Sequence, residues 1–140
     1  MPEIVFWDTA AFIALGNARD DLHQAATQVS QELAKAQAHV LTTDAVLIEV
    51  ANAFSKVALR SIAWQLVEAM HASVALKAAT IVHVDTDLWQ RGWQLYRARS
   101  DKNWGLTDCI SFVVMEDYGI QRAFTYDQHF EQAGFVRLLK

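Results

Sequence analysis

The chain alternates short apolar runs with longer stretches in which apolar residues recur every three or four positions. Ile4-Val5-Phe6-Trp7 is unbroken and bounded by Pro2 and Asp8, the pattern of a strand buried on both faces. His39-Val40-Leu41-Thr42, the β-branched run Thr80-Ile81-Val82-His83-Val84 and Arg122-Ala123-Phe124-Thr125 are three further strands, and Phe135-Val136-Arg137-Leu138 is a short candidate fifth. Between them, Leu22, Ala25, Ala26, Val29, Leu33 and Ala36 fall on one face of a helix over 22–36, with Asp20 or Asp21 placed to cap it. Helices are also predicted over 45–58, 62–76, 87–99 and 106–118, the last ended by Gly119. In the helix over 87–99, Leu88, Trp89, Trp93, Leu95 and Tyr96 are the expected apolar contacts. Strands alternate with helices and lack the in–out alternation of a half-exposed sheet. The pattern therefore predicts an α/β fold, with a central parallel sheet of four to five strands and helices on both faces. No linker or repeat interrupts it and Pro2 is the only proline, so residues 1–140 are expected to form one domain.

Charge and cysteine content narrow the function more than the fold. A formal net charge of −4 argues against a passive nucleic-acid-binding surface, which draws its affinity from basic residues. It leaves room for an enzyme acting on nucleic acid, because a divalent cation reverses the local field of an acidic site. The single cysteine, Cys109, excludes an intramolecular disulfide and a cysteine-built zinc site, and reads as a small buried hydrophobe. The amino terminus reads as a strand ending in an acid rather than as a signal peptide. No apolar run approaches the ~18 residues of a membrane span, so the expected location is cytoplasmic, with no membrane partner.

The acidic residues carry the chemistry. In open parallel sheets, ligands bind outside the carboxyl ends of the strands. Asp8 directly follows the first strand, and Asp127 follows the fourth in "TYDQHF". Glu49 lies early in the helix after the second strand, where it interrupts the apolar run Val46-Leu47-Ile48 and Val50-Ala51. Asp108 opens the most apolar helix of the chain, in "NWGLTDCISF", with Thr107 as its expected cap. All four are thus directed to one edge of the sheet. Two carboxylates ~5 Å apart repel by roughly 3 kcal/mol at an effective dielectric of about 20. Several such pairs rival the whole ~5–15 kcal/mol stability of a domain. A cluster of this kind needs protonation or a cation, and oxygen donors alone point to a hard ion, Mg²⁺ or Mn²⁺.

Taken in order, "FWDTAAFIAL", "TTDAVLIEVANAF", "DKNWGLTDCISF" and "TYDQHFEQAGF" resemble the PIN-domain ribonucleases, and within them the VapC-like toxins of bacterial toxin–antitoxin pairs. The resemblance spans essentially the whole chain. It implies that Asp8, Glu49, Asp108 and Asp127 match the family's acidic quartet, with Asp8 and Asp108 as the closest metal ligands. It also implies that Thr125 is the hydroxyl residue preceding the last acid, and that Thr9 and Asn52 line the site. The implied activity is Mg²⁺- or Mn²⁺-dependent endonucleolytic cleavage of RNA, leaving a 5′-phosphate and a 3′-hydroxyl. The implied partners are an RNA substrate, a cognate antitoxin and a second copy of the chain.

Other residues receive plainer readings. His129 follows Asp127 by two, but without a second histidine or cysteine nearby it is expected to be a surface or capping residue. No lysine or histidine in these segments stands out as a general base, which leaves that role to a carboxylate or a metal-bound hydroxide. Trp7 and Trp93 are expected in the core, and Trp104 is expected to pack rather than to stack on a base. Lys56, Arg60, Arg97, Arg99 and Lys102 are candidates for phosphate contacts, Lys102 foremost for its nearness to Asp108. Asp101 is expected to be a solvated loop acid. A non-catalytic PIN module binding RNA or protein is the alternative, disfavoured because all four acids are present. A receiver-like domain would show paired acids after the first strand, where Asp8 is followed by Thr9.

Overall fold

A computed structural model describes residues 2–140. Five strands, β1 (Ile4–Trp7), β2 (His39–Thr43), β3 (Ala79–Val82), β4 (Arg122–Phe124) and β5 (Val136–Arg137), form one sheet in the order β3-β2-β1-β4-β5. Every neighbouring pair is parallel. The connections carry α1 (Thr9–Gly16), α2 (His23–Lys35), α3 (Asp44–Ala53), α4 (Arg60–Ala75), α5 (Thr86–Ala98), α6 (Leu106–Tyr118) and the short α7 (Gln128–Gln132). From β1 the chain winds outward to β2 and β3, then returns past β1 to β4 and continues to β5. The winding direction therefore reverses between β1 and β4, and the crevice beyond their carboxyl ends is where such sheets take ligands.

Successive strand residues face opposite sides of the sheet, and the buried clusters follow that rule. Val5 and Phe124 pack with Ala11 and Ala14 of α1 and with Ala26 and Leu33 of α2. Phe6, paired with Leu41 on one side and Ala123 on the other, belongs to the larger cluster with Ile110, Phe112 and Met115 of α6 and Phe130 of α7. Cys109 is fully buried, as a small hydrophobe at that position should be. Among the described residues, no helix is long and apolar enough to cross a membrane.

Several elements differ from the sequence reading. Helix α1 was not anticipated, because its residues TAAFIALG have no polar face from which a period could be read. The helix expected over 45–58 stops at Ala53, and a 3₁₀ turn over Val57–Leu59 leads into α4. Neither Asp20 nor Asp21 caps α2; the Asp20 carboxylate instead accepts the Leu22 N–H at 2.8 Å, ahead of the helix. Trp93 is not in the core. It is 43% exposed and stacks between Trp89 and Tyr96, with ring centroids 6.3 and 5.6 Å away, on the outer side of α5. The buried side of α5 is marked by Leu88 and Gly92, where the helix meets α6.

A β-carbon at Gly92 would lie 2.6 Å from Ile110 Cγ1 and 3.4 Å from its Cα, too close without movement of one helix. Gly92→Ala should gain about 1 kcal/mol of helix propensity and lose about 1–3 kcal/mol to overpacking. The expected net result is a lower midpoint in urea. A midpoint at or above the parent's would mean that α5 and α6 separate at little cost.

Candidate active site

The backbone presents the acids before any ligand does. The Asp8 N–H donates to the Phe124 carbonyl at 3.2 Å, extending the β1–β4 pairing by one residue and holding the Asp8 side chain at the mouth of the crevice. Asp8 is only 4% exposed, and its Oδ2 accepts the Thr125 hydroxyl at 2.8 Å. Thr125 is fully buried and its hydroxyl oxygen also accepts the Asp127 N–H at 3.0 Å, so one side chain orients Asp8 and fixes the turn that presents Asp127. Asp127 then caps α7, its Oδ1 accepting the His129 N–H at 2.9 Å.

Asp108 enters from α6. Its Oδ2 accepts the Gly105 N–H at 3.0 Å, satisfying an otherwise unpaired donor where the helix begins. The expected cap, Thr107, lies inside the first turn instead, and its carbonyl accepts the Ser111 hydroxyl at 2.8 Å. A negative charge in the first turn is also favoured by the helix dipole. His129 completes the group: its Nδ1 is 3.1 Å from Asp108 Oδ2 and 3.3 Å from Asp127 Oδ1. The expectation of a surface or capping histidine is therefore corrected, since the ring sits between two of the acids. The useful signal was the spacing Asp127-Gln128-His129 at a helix start, which turns the histidine back over its own capping residue.

Glu49 stands apart. It is exposed, as is Ile48 beside it, so the interruption of an apolar run expected there falls on a solvent face. Its Oε1 accepts the hydroxyl of Thr9 at 2.7 Å, which ties it to the rim next to Asp8. All four acids thus lie at the carboxyl edge, with Asp108, Asp127 and His129 grouped, Asp8 buried behind them and Glu49 reached through Thr9. Asn52 is exposed on α3, one turn beyond Glu49. Lys102 is half-buried and lines a shallow depression with Tyr96, Arg97, Arg99 and Asn103. Asp101 pairs with Arg99 at 3.0 Å, and that guanidinium holds its pKa below the usual carboxylate value. Trp104 is buried, edge-on to Phe112, and donates its indole N–H to Gln132 at 3.0 Å, as the packing role requires.

The electrostatics are those of acids without counter-charges. Among the described residues, no lysine or arginine forms an ion pair with Asp8, Glu49, Asp108 or Asp127. Burial pushes the Asp8 carboxyl up to about 7, with Asp108 and Asp127 adding to the rise and the Thr125 hydrogen bond opposing it. Burial also raises Asp108, against the Gly105 and His129 hydrogen bonds.

Residues 5–136 match the PIN domain, and the chain belongs to that family. It is 31% identical, over 96% of its length and 98% of the relative's, to the 23S rRNA-specific endonuclease VapC20 of Mycobacterium tuberculosis. The crystal structure of that species' VapC20, described as a sarcin-ricin loop cleaving toxin, matches with a TM-score of 0.80 at 28% identity. That match covers 97% of this chain and 99% of the other. Two further structures share the fold at 14% identity. They are VapBC2 from Rickettsia felis bound to a promoter DNA fragment (TM-score 0.67, 96% of each chain) and DNA-bound VapBC from Salmonella typhimurium (0.66, 98% and 96%).

Proposed function

We propose that the chain is a metal-dependent endoribonuclease, the toxin of a toxin–antitoxin pair, whose ion is held by Asp8, Asp108 and Asp127 with Glu49 at the rim. The observation that carries this reading is the set of converging carboxylates with no lysine or arginine partner, at the β1–β4 switch point of a PIN fold. The donor chemistry fits Mg²⁺ or Mn²⁺, because carboxylate oxygens dominate it and Asp8 stays protonated up to about pH 7 unless a cation stabilises its charge. When bound, the ion orients the scissile phosphate, offsets the charge developing on it and lowers the pKa of the attacking water.

The chain's own groups do the rest. Thr125 commits its proton to Asp8 Oδ2, so its part is to orient that carboxylate. Glu49 is the solvent-facing carboxylate, held by Thr9 at Oε1 and placed to accept a proton at Oε2. Asn52 on α3, one turn beyond Glu49, and Lys102, with Arg97 in the depression it lines, are the substrate contacts, the two cations supplying positive charge for phosphates. The activity of the Mycobacterium tuberculosis relative, a 23S rRNA-specific endonuclease, supports ribosomal RNA as the substrate class. Purified protein should cleave 23S rRNA in ribosomes with Mg²⁺ or Mn²⁺ and stop on chelation. Binding without cleavage under both ions would favour the non-catalytic module.

The same reading brings in an antitoxin, supported by the VapBC assemblies named above, and a second copy, supported by exposed apolar side chains. Ile48, Val57 and Trp64 on the α3–α4 side and Trp89, Trp93 and Tyr96 on α5 are large apolar side chains left exposed, of the kind that partner surfaces cover. Sedimentation at micromolar concentration should give a dimer; a monomer at every concentration would rule that partner out.

A further inference from the structure

We propose that His129 Nδ1 is a nitrogen donor in this metal site and tilts it from Mg²⁺ towards first-row transition ions, an inference that rests on the metal-dependent reading above. Asp108, Asp127 and His129 each offer one ligand atom within 4.8 Å of the others. That set is mixed, two carboxylate oxygens and one imidazole nitrogen, where the sequence pointed to oxygen alone.

A hydrogen bond between Nδ1 and Asp108 Oδ2 accounts for only one of the two contacts. Nδ1 faces two carboxylate oxygens, at 3.1 and 3.3 Å. It carries at most one proton, which serves one acceptor well and leaves the other opposed to it. With the proton on Nε2, the Nδ1 lone pair points at two anionic oxygens and nothing satisfies it. With the ring proton on Nε2, one cation shared by the three atoms satisfies all of them.

The ring is also held in place. The His129 backbone N–H is bound to Asp127 Oδ1, and the next residue, Phe130, is fully buried in the core between Phe6 and Phe112. The His129 backbone is therefore fixed beside the acids, and its ring reaches them from that position. Imidazole is a poor donor for Mg²⁺, which prefers oxygen and keeps its waters, and a good one for first-row transition ions.

The test measures binding rather than turnover. Mn²⁺ and Mg²⁺ are titrated calorimetrically into the parent, His129→Ala, His129→Gln and Asp108→Asn proteins, and the Mn²⁺ complexes are examined by pulsed EPR for a directly bound nitrogen. The parent should show ¹⁴N coupling that both His129 variants lack. Both variants should lose roughly tenfold or more in Mn²⁺ affinity, the size expected for a ligand-shell change, while Mg²⁺ affinity moves little. Melting curves confirm that each variant is folded. A parent spectrum without nitrogen coupling, or an unchanged Mn²⁺ to Mg²⁺ ratio in His129→Ala, overturns the proposal. In that event, loss of both ions in Asp108→Asn leaves the acidic-site reading standing, whereas no binding of either ion by the parent overturns both.

Discussion

Asp108→Asn is expected to reduce RNA cleavage by ~10²-fold or more while leaving the protein folded. Altering even the partners of metal ligands costs about 10–100-fold in affinity or activity, and Asp108 is proposed as a ligand itself. The local structure tolerates the change, because an asparagine oxygen can still accept the Gly105 N–H that Asp108 Oδ2 accepts at 3.0 Å. If Asp108 only began α6, the substitution would cost at most about 1 kcal/mol of stability and spare activity. Burial already disfavours the Asp108 charge and Asp127 adds to that, so the metal-free variant should melt no lower than the parent. Cleavage assays beside melts with and without Mn²⁺ separate the cases. A variant that cuts like the parent and still gains stability from Mn²⁺ would remove Asp108 from the site.

What the sequence disclosed depended on whether a residue's role is local. Strand β1 and helix α6 were legible to their end residues, because an unbroken four-residue apolar run and a glycine stop are local signals. Helix α1 was not, since Ala11 and Ala14 pack on one cluster and Phe12 on the other, leaving no polar side to mark a period. On α5, two apolar rows compete at helical spacing, and counting hydrophobes cannot rank them. Gly92 was the discriminating residue, because close contact with Ile110 requires a missing side chain. The carboxyl-edge placement of the four acids followed from the fold rule alone. The place of His129 did not, because its partner Asp108 is 21 residues distant and meets it only when α6 and α7 are packed. Glu49 was legible as an acid near the site that breaks an apolar run, but that its face is solvent-exposed was not, since the exposure of Ile48 has no sequence signature.

The metal-free protein is expected to lose stability as pH rises from about 4 to about 7, and Asp8→Asn is expected to remove most of that slope. Asp8 titrates near 3.8 when unfolded and near 7 when folded. Below the lower value both states are protonated and the residue has no effect. Between the two values the unfolded chain releases a proton that the folded chain retains, so stability falls; above about 7 the loss is complete. At ~1.4 kcal/mol per pKa unit, the total is on the order of 4 kcal/mol. Asp108, also raised, acts in the same direction, whereas Asp117, lowered by Arg91, acts oppositely and only at more acidic pH. Asn at position 8 cannot ionise, and its side-chain oxygen can still accept the Thr125 hydroxyl. In chelator, the parent should therefore melt lower at pH 7.5 than at pH 5, and Asp8→Asn should melt higher than the parent at pH 7.5. Saturating Mn²⁺ should restore the parent and raise the variant by much less, because Asp108, Asp127 and His129 remain but the buried charge that the cation offsets is gone. Equal parent melting temperatures at the two pH values in chelator, with no gain in Asp8→Asn, would show that Asp8 is ionised without a cation and that this buried carboxylate is not what the ion neutralises.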